Sequence, residues 1–266
     1  MGNSHIKLSD WIFDEPVSGL ILPTAAVAYW KLDEASGDAA DSIASYTLAQ
    51  VGTVPADSDG LFGNCRGGFT DGNYLTSTGL SSGGLAADAN FDVSTGSTWY
   101  IDCYIKPYSA SSTSVQMPVC AMNRDTGIRY DYDATNVWTV QGLQTSSSNA
   151  NNSSLSPSVP NYLGEWIHIM FAKTGEGAAD QTALWINGVE VGADDSVGYA
   201  YVHGEFMVGK RNSSTSYYAT TVKICDLVWG HGLTTDTVPG SGTIKERLAE
   251  IALVRYNGGL GQQYVI

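Results

Sequence analysis

Residues 183–191 read Ala183-Leu184-Trp185-Ile186-Asn187-Gly188-Val189-Glu190-Val191, and this stretch decides the fold class. An Asn-Gly pair tolerates the two positive φ angles of a type I′ turn, and β-branched and aromatic residues flank it on both sides, so the segment is a tight β-hairpin. Just upstream, Trp166 to Lys173 is an almost unbroken apolar run, the pattern of a strand covered on both faces. Trp99-Tyr100-Ile101-Asp102-Cys103-Tyr104-Ile105 alternates instead, placing Trp99, Ile101, Cys103 and Ile105 on one face and Tyr100, Asp102 and Tyr104 on the other. Ile128–Tyr132 and Val137–Val140, joined across Asp133-Ala134-Thr135-Asn136, predict a second hairpin, and Val222–Trp229 a late strand. Short strands separated by turn signals predict an all-β fold, a two-sheet antiparallel sandwich. A single helix is expected, near the end. Thr243-Ile244-Lys245-Glu246 is a capping box, Leu248, Ile251 and Ala252 then share a face, and Asn257-Gly258-Gly259 stops the run.

Composition agrees with strands and turns. The 266 residues include 30 Gly, 15 Tyr and 7 Trp, while only 15% are charged, so the polar surface comes from Ser, Thr and Asn. With 13 Lys+Arg against 27 Asp+Glu the net charge is −14. Such a chain has no basic face for phosphates or anionic lipid, which argues against nucleic acid and membrane as partners. Its longest apolar run, Leu20 to Trp30, is interrupted by Pro23 and too short to span a bilayer, and Met1 to Leu8 lacks a leader pattern. Synthesis in a host cytoplasm and free, buried thiols at Cys65, Cys103, Cys120 and Cys225 are the corresponding expectations. The sequons at Asn151, Asn152 and Asn212 carry no weight in that compartment.

The order of segments resembles the laminin-G-like, concanavalin A-like jelly rolls. The pieces that carry the resemblance begin with Ala28-Tyr29-Trp30-Lys31-Leu32-Asp33-Glu34-Ala35-Ser36-Gly37 with Asp41-Ser42, then Phe91-Asp92-Val93 leading into Trp99–Pro107. They continue with Gly164-Glu165-Trp166-Ile167-His168-Ile169, then Leu184 to Val191, then Val222 to Leu233. The resemblance implies a jelly-roll domain over 27–240, preceded by an arm at 1–26 and followed by a helix and tail at 241–266. It does not imply one function, because the family includes lectin-like domains, adhesion modules, glycanases and phage surface proteins.

Glycanase members carry two Glu and an Asp alternating on one strand, and neither Glu-x-Asp-x-Glu nor Glu-x-Asp-x-x-Glu occurs here. Gly79-Leu80-Ser81-Ser82-Gly83 has the letters of a nucleophile elbow but no helix pattern after it. Gly204-Glu205-Phe206-Met207-Val208-Gly209-Lys210 falls short of a phosphate loop, since Arg211 follows and Phe206–Val208 reads as a strand. The histidines at 5, 168, 203 and 231 have no partners at metal-ligand spacing. The expectation is therefore a chain that is not an enzyme and requires no cofactor. Calcium suits the oxygen-rich composition better than zinc. Asp33 and Asp41 beside the first turn, with Asp226 in the last strand, are the candidate structural ligands.

Sugars stack their C–H faces on exposed aromatic rings and pair their hydroxyls with amides and carboxylates. Two groups fit that description as candidate glycan sites: Tyr130, Asp131, Tyr132 and Trp138, and Tyr199, Tyr201, Asn212, Tyr217 and Tyr218. Ordinary cross-strand packing is the competing explanation for both. Taken together, the sequence reads as a non-catalytic binding or assembly protein. Its expected setting is the surface of a phage virion, as head decoration or fibre, docked on other virion subunits through its terminal segments and oligomeric in the assembly. A free carbohydrate-binding lectin is the alternative, and a polysaccharide hydrolase a more distant one.

Overall fold

A computed structural model describes residues 25–77, 88–91, 93, 97–109, 115–122, 126–132, 138–144, 153–155, 157–175, 181–194, 206–210, 219–238 and 240–259. Two antiparallel sheets face each other. The first contains β1 (Ala26–Trp30), β3 (Ala56–Gly60), β4 (Gly63–Arg66), β6 (Trp99–Pro107), β12 (Ile167–Lys173), β13 (Thr182–Ile186), β14 (Val189–Asp194) and β16 (Val222–His231). Its strand order is β14-β13-β12-β6-β16-β4-β3, with β1 also paired to β16. The second contains β2 (Leu48–Val51), β5 (Tyr74–Ser77), β7 (Val115–Met122), β8 (Thr126–Tyr132), β9 (Trp138–Gln144), β10 (Ser153–Leu155), β11 (Ser158–Val159) and β15 (Phe206–Val208). Here the order is β10-β9-β8-β7-β15-β5-β2, with β11 also on β9. The expected two-sheet sandwich with one C-terminal helix, α1 (Ile244–Gly259), is what the chain adopts.

Alternation places the core. Ile101, Cys103 and Ile105 of β6, Ile167, Ile169 and Phe171 of β12, and Ile224 and Trp229 of β16 point between the sheets and meet Val119, Cys120, Ile128 and Phe206 of the second sheet. Aromatic rings fill its centre. Trp229 stacks on Phe91 at 5.5 Å and on Trp99 at 5.7 Å, and Trp30 stacks on Phe206 at 5.3 Å. The predicted hairpin forms between β13 and β14, with Asn187 at φ 51° and Gly188 at φ 76°. The β8–β9 hairpin forms as well.

The first sheet is covered on its outer face too, which explains why β12 reads as unbroken apolar sequence: all of its residues are buried. Leu248, Ile251 and Ala252 of α1 pack there on Tyr100, Met170, Ala172, Trp185 and Val228. The capping box forms as read: the Glu246 carboxylate accepts from Thr243 N at 2.8 Å, and Glu246 N donates to Thr243 Oγ1 at 3.2 Å. Gly230 on β16 is required by close approach, since a Cβ there would stand 1.8 Å from the Tyr100 ring.

Candidate functional site

The outer face of the first sheet carries three polar regions. Beneath the C-terminal part of α1, β6 places Asp102 and β12 places His168 on this face. Arg255 reaches down from the helix to Asp102 Oδ1 through Nε at 2.7 Å and through Nη2, while His168 Nε2 sits 2.7 Å from Asp102 Oδ2. Tyr104 donates its hydroxyl to the Arg255 carbonyl at 2.6 Å. Burial by itself drives the Asp102 carboxyl upward, but the Arg255 charge and then His168 outweigh it and hold the group below its ordinary range. An Asp–His pair invites comparison with a general base. These side chains are 1% and 0% exposed, however, so neither meets a substrate, and the trio instead fastens the helix to the sheet.

The second region is a fork. Near its start β16 pairs with β4, Ile224 opposite Arg66, and further on it pairs with β1, from Leu227 opposite Trp30 to Gly230 opposite Ala26. Between the two stretches the register with β6 shifts, and Asp226 adopts φ 50°. This is a β-bulge, and it turns the Asp226 side chain out of the sandwich core. One carboxylate oxygen accepts the Tyr29 hydroxyl at 2.5 Å, and the Asp226 N–H donates to Lys31 O at 3.1 Å. A small pocket of about 50 Å³ occupies the fork, lined by Tyr29, Lys31, Asp33, Phe62, Asn64, Cys225 and Asp226. Asp226 is 3% exposed, and burial pushes its carboxyl up to about 6, while the Tyr29 hydrogen bond pulls it partly back.

Beyond the helix end, the third region stays open to solvent. Lys106 of β6 lies opposite Lys223 of β16, and the β3 hairpin brings two carboxylates against them. Lys106 Nζ is 2.8 Å from Asp59, and Lys223 Nζ is 2.7 Å from Asp57 and 3.2 Å from Asp59. Hydrogen bonding from Lys223 lowers the Asp57 carboxyl, and hydrogen bonding from Lys106 and then Lys223 lowers that of Asp59. Tyr108, 41% exposed, presents its ring 5.7 Å from Lys223 Nζ, with its hydroxyl donated to Thr220 O. Trp166, Phe62 and Tyr256 form a half-buried aromatic border over Tyr104, Cys65 and Cys225, with Phe62 edge-on to Tyr104 at 5.5 Å.

The architecture has solved counterparts. The chain is similar to the binding domain of Paraclostridial Mosquitocidal Protein 1, with TM-score 0.58 and 10% identity over 87% of this chain and 52% of that one. It is similar to the botulinum neurotoxin serotype G binding domain, with TM-score 0.55 and 12% identity over 87% and 50%. A Trypanosoma rangeli sialidase matches with TM-score 0.56 and 11% identity over 91% of this chain and 33% of that one. The likeness is one of fold. This chain spans about half the length of the toxin domains it matches and a third of the sialidase. It matches no protein-family model and no curated protein sequence.

The residues singled out in the sequence fare unevenly. Tyr130 is fully buried in the core, so it cannot stack on a sugar and leaves the first glycan group. Asp131, beside it on β8, is half-buried and paired with Arg129 at 2.9 Å. Tyr132 and Trp138 are paired in the backbone register of β8 and β9. Tyr199, Tyr201, Asn212, Tyr217 and Tyr218 lie outside the described residues. The three candidate calcium ligands do not assemble. Asp33 and Asp226 share the pocket at the fork, but Asp41 is spent on the backbone, accepting from Tyr29 N at 2.9 Å, Ile43 N at 3.0 Å and Tyr46 N at 3.2 Å. Asp41 therefore holds the backbone end of Tyr29 and Asp226 its hydroxyl. Among the described residues, no group of three or more His, Cys, Asp or Glu is placed to hold a metal ion. All four cysteines are buried thiols. Sequence reading missed the Tyr108–Lys106–Lys223 region. The signal was present, because the alternation that puts Tyr104 on the outer face of β6 also puts Lys106 and Tyr108 there.

Proposed function

We propose that the chain is a non-catalytic binding module that recognises glycans, carried on the surface of a phage particle as a decoration or fibre subunit. The observation that supports it best is the sandwich itself, which over 87% of the chain matches solved toxin binding domains. In this proposal the residues before β1 and after α1 dock on neighbouring virion subunits, and the module works without a cofactor. Two experiments test it. Mass spectrometry of purified particles should find the chain in stoichiometric copy number, and an array of neutral and sialylated oligosaccharides should identify bound members. Removing residues 1–24 should leave a folded domain that no longer incorporates; Ala25 and Ala26 are kept because His231 N donates to Ala25 O and Ala26 begins β1. Absence of the chain from particles removes the virion assignment, and an array with no bound oligosaccharide removes glycan recognition.

A further inference from the structure

We propose that the open end of the first sheet's outer face, centred on Tyr108, Lys106 and Lys223, binds a neutral saccharide. The proposal rests on the glycan-binding function above and gives it a location and a ligand class. Three features lead to it. First, Tyr108 is a large aromatic ring 41% exposed, yet it is not free to wander, because its N–H donates to Thr221 O at 2.9 Å and its hydroxyl to Thr220 O. A ring already held in place offers a C–H stacking surface with little ordering cost on binding. Second, Trp166 and Phe62 add half-buried aromatic surface around Tyr104, on the same face of the sheet.

Third, the polar groups beside the ring are balanced. Two ammonium groups meet two carboxylates, Lys106 and Lys223 with Asp57 and Asp59, within a chain of net charge −14. Each lysine has three donors, and each carboxylate has acceptor positions beyond those its ion pairs use. A sugar hydroxyl donates and accepts at once, so vicinal hydroxyls satisfy both kinds of group without displacing either. An anionic ligand would have to approach Asp57 and Asp59 in an already acidic protein, and a cationic one would meet Lys106 and Lys223. Neutral polyols match this pattern better than either ion.

The test uses the full chain with lactose, maltotriose and cellotriose as neutral probes and 3′-sialyllactose as the acidic one, read by saturation-transfer NMR and calorimetry. At least one neutral probe is expected to saturate, with 3′-sialyllactose binding no more tightly than lactose. Tyr108→Ala should weaken the bound probe about tenfold, whereas Tyr108→Phe, which keeps the ring, should stay within about threefold. Lys106→Met should also weaken binding, and because it leaves Tyr108 in place it serves if Tyr108→Ala does not fold by circular dichroism. Asp57 and Asp59 stay ionised at mild acidity, so affinity should be flat from about pH 5 to 8. Binding that survives Tyr108→Ala and Lys106→Met overturns this location but leaves glycan recognition standing. Tighter binding of the acidic probe overturns the ligand class. No binding of any probe, with an array that is positive elsewhere, overturns the site alone; with a blank array both readings fall.

Discussion

Replacing Arg255 with Met should cost far more stability than its place near the end of the helix suggests. The guanidinium supplies two contacts to Asp102, and both residues are at most 2% exposed. Without it, Asp102 is a buried carboxylate supported only by His168 at 2.7 Å. Removing one member of a buried ion pair costs about 3–5 kcal/mol, because the remaining charge stays desolvated and uncompensated. At roughly 2–4 °C per kcal/mol for a domain of this size, Arg255→Met should lower the melting midpoint by about 6–20 °C. The double variant Asp102→Leu with Arg255→Met removes both members of that ion pair and leaves the His168 ring without its carboxylate partner, a loss of about 1–3 kcal/mol. The double variant should therefore be more stable than the single one. Urea unfolding followed by tryptophan fluorescence measures both. An Arg255→Met cost below about 1 kcal/mol, or a double variant less stable than Arg255→Met, would refute the electrostatic account of how the helix is held.

The fork makes a pH prediction. The Asp226 carboxyl is pushed from 3.8 up to about 6 in the native state, so between those values the folded protein binds more protons than the unfolded chain. Its contribution to stability is then present at low pH and declines by ~3 kcal/mol as pH rises through about 4 to 6. Asp226→Asn should flatten that part of the stability profile, and an unchanged slope would show that the group does not titrate there. Asp102 has the opposite sign: its stabilisation is present above the unfolded value of 3.8 and is lost only as pH falls through its lowered native value. Because Asp41 is committed to three backbone N–H groups, EDTA should leave the melting midpoint unchanged, and a fall of several degrees would point to a metal site beyond the residues described.

What could be read from the letters was whatever depended on neighbours in sequence. Asn187-Gly188 dictates its turn through backbone conformation alone, the alternation in β6 sorts its side chains, and Thr243 with Glu246 caps α1 within one helical turn. Adjacency of the first and last strands, which a jelly roll implies, is realised by β1 on β16. The site depended on contacts that no local pattern encodes. Arg255 and Asp102 are 153 positions apart, and Tyr29 and Asp226 are 197 apart. The bulge at Asp226 has no Gly to announce it. Tyr130 shows the ambiguity of aromatic residues in strands, since the same side chain suits a sugar platform or a core and only its facing decides.

The pairing of β1 with β16 also has a consequence during synthesis. Ala26–Trp30 is translated long before its hydrogen-bonding partner, Val222–His231. Until then β1 lacks its partner strand, and the half-made sandwich presents a raw edge to its surroundings. Closure of the domain thus waits until β16 has been made. Truncated products should be prime clients for holdase chaperones, and rare-codon pauses before position 222 should favour aggregation over yield.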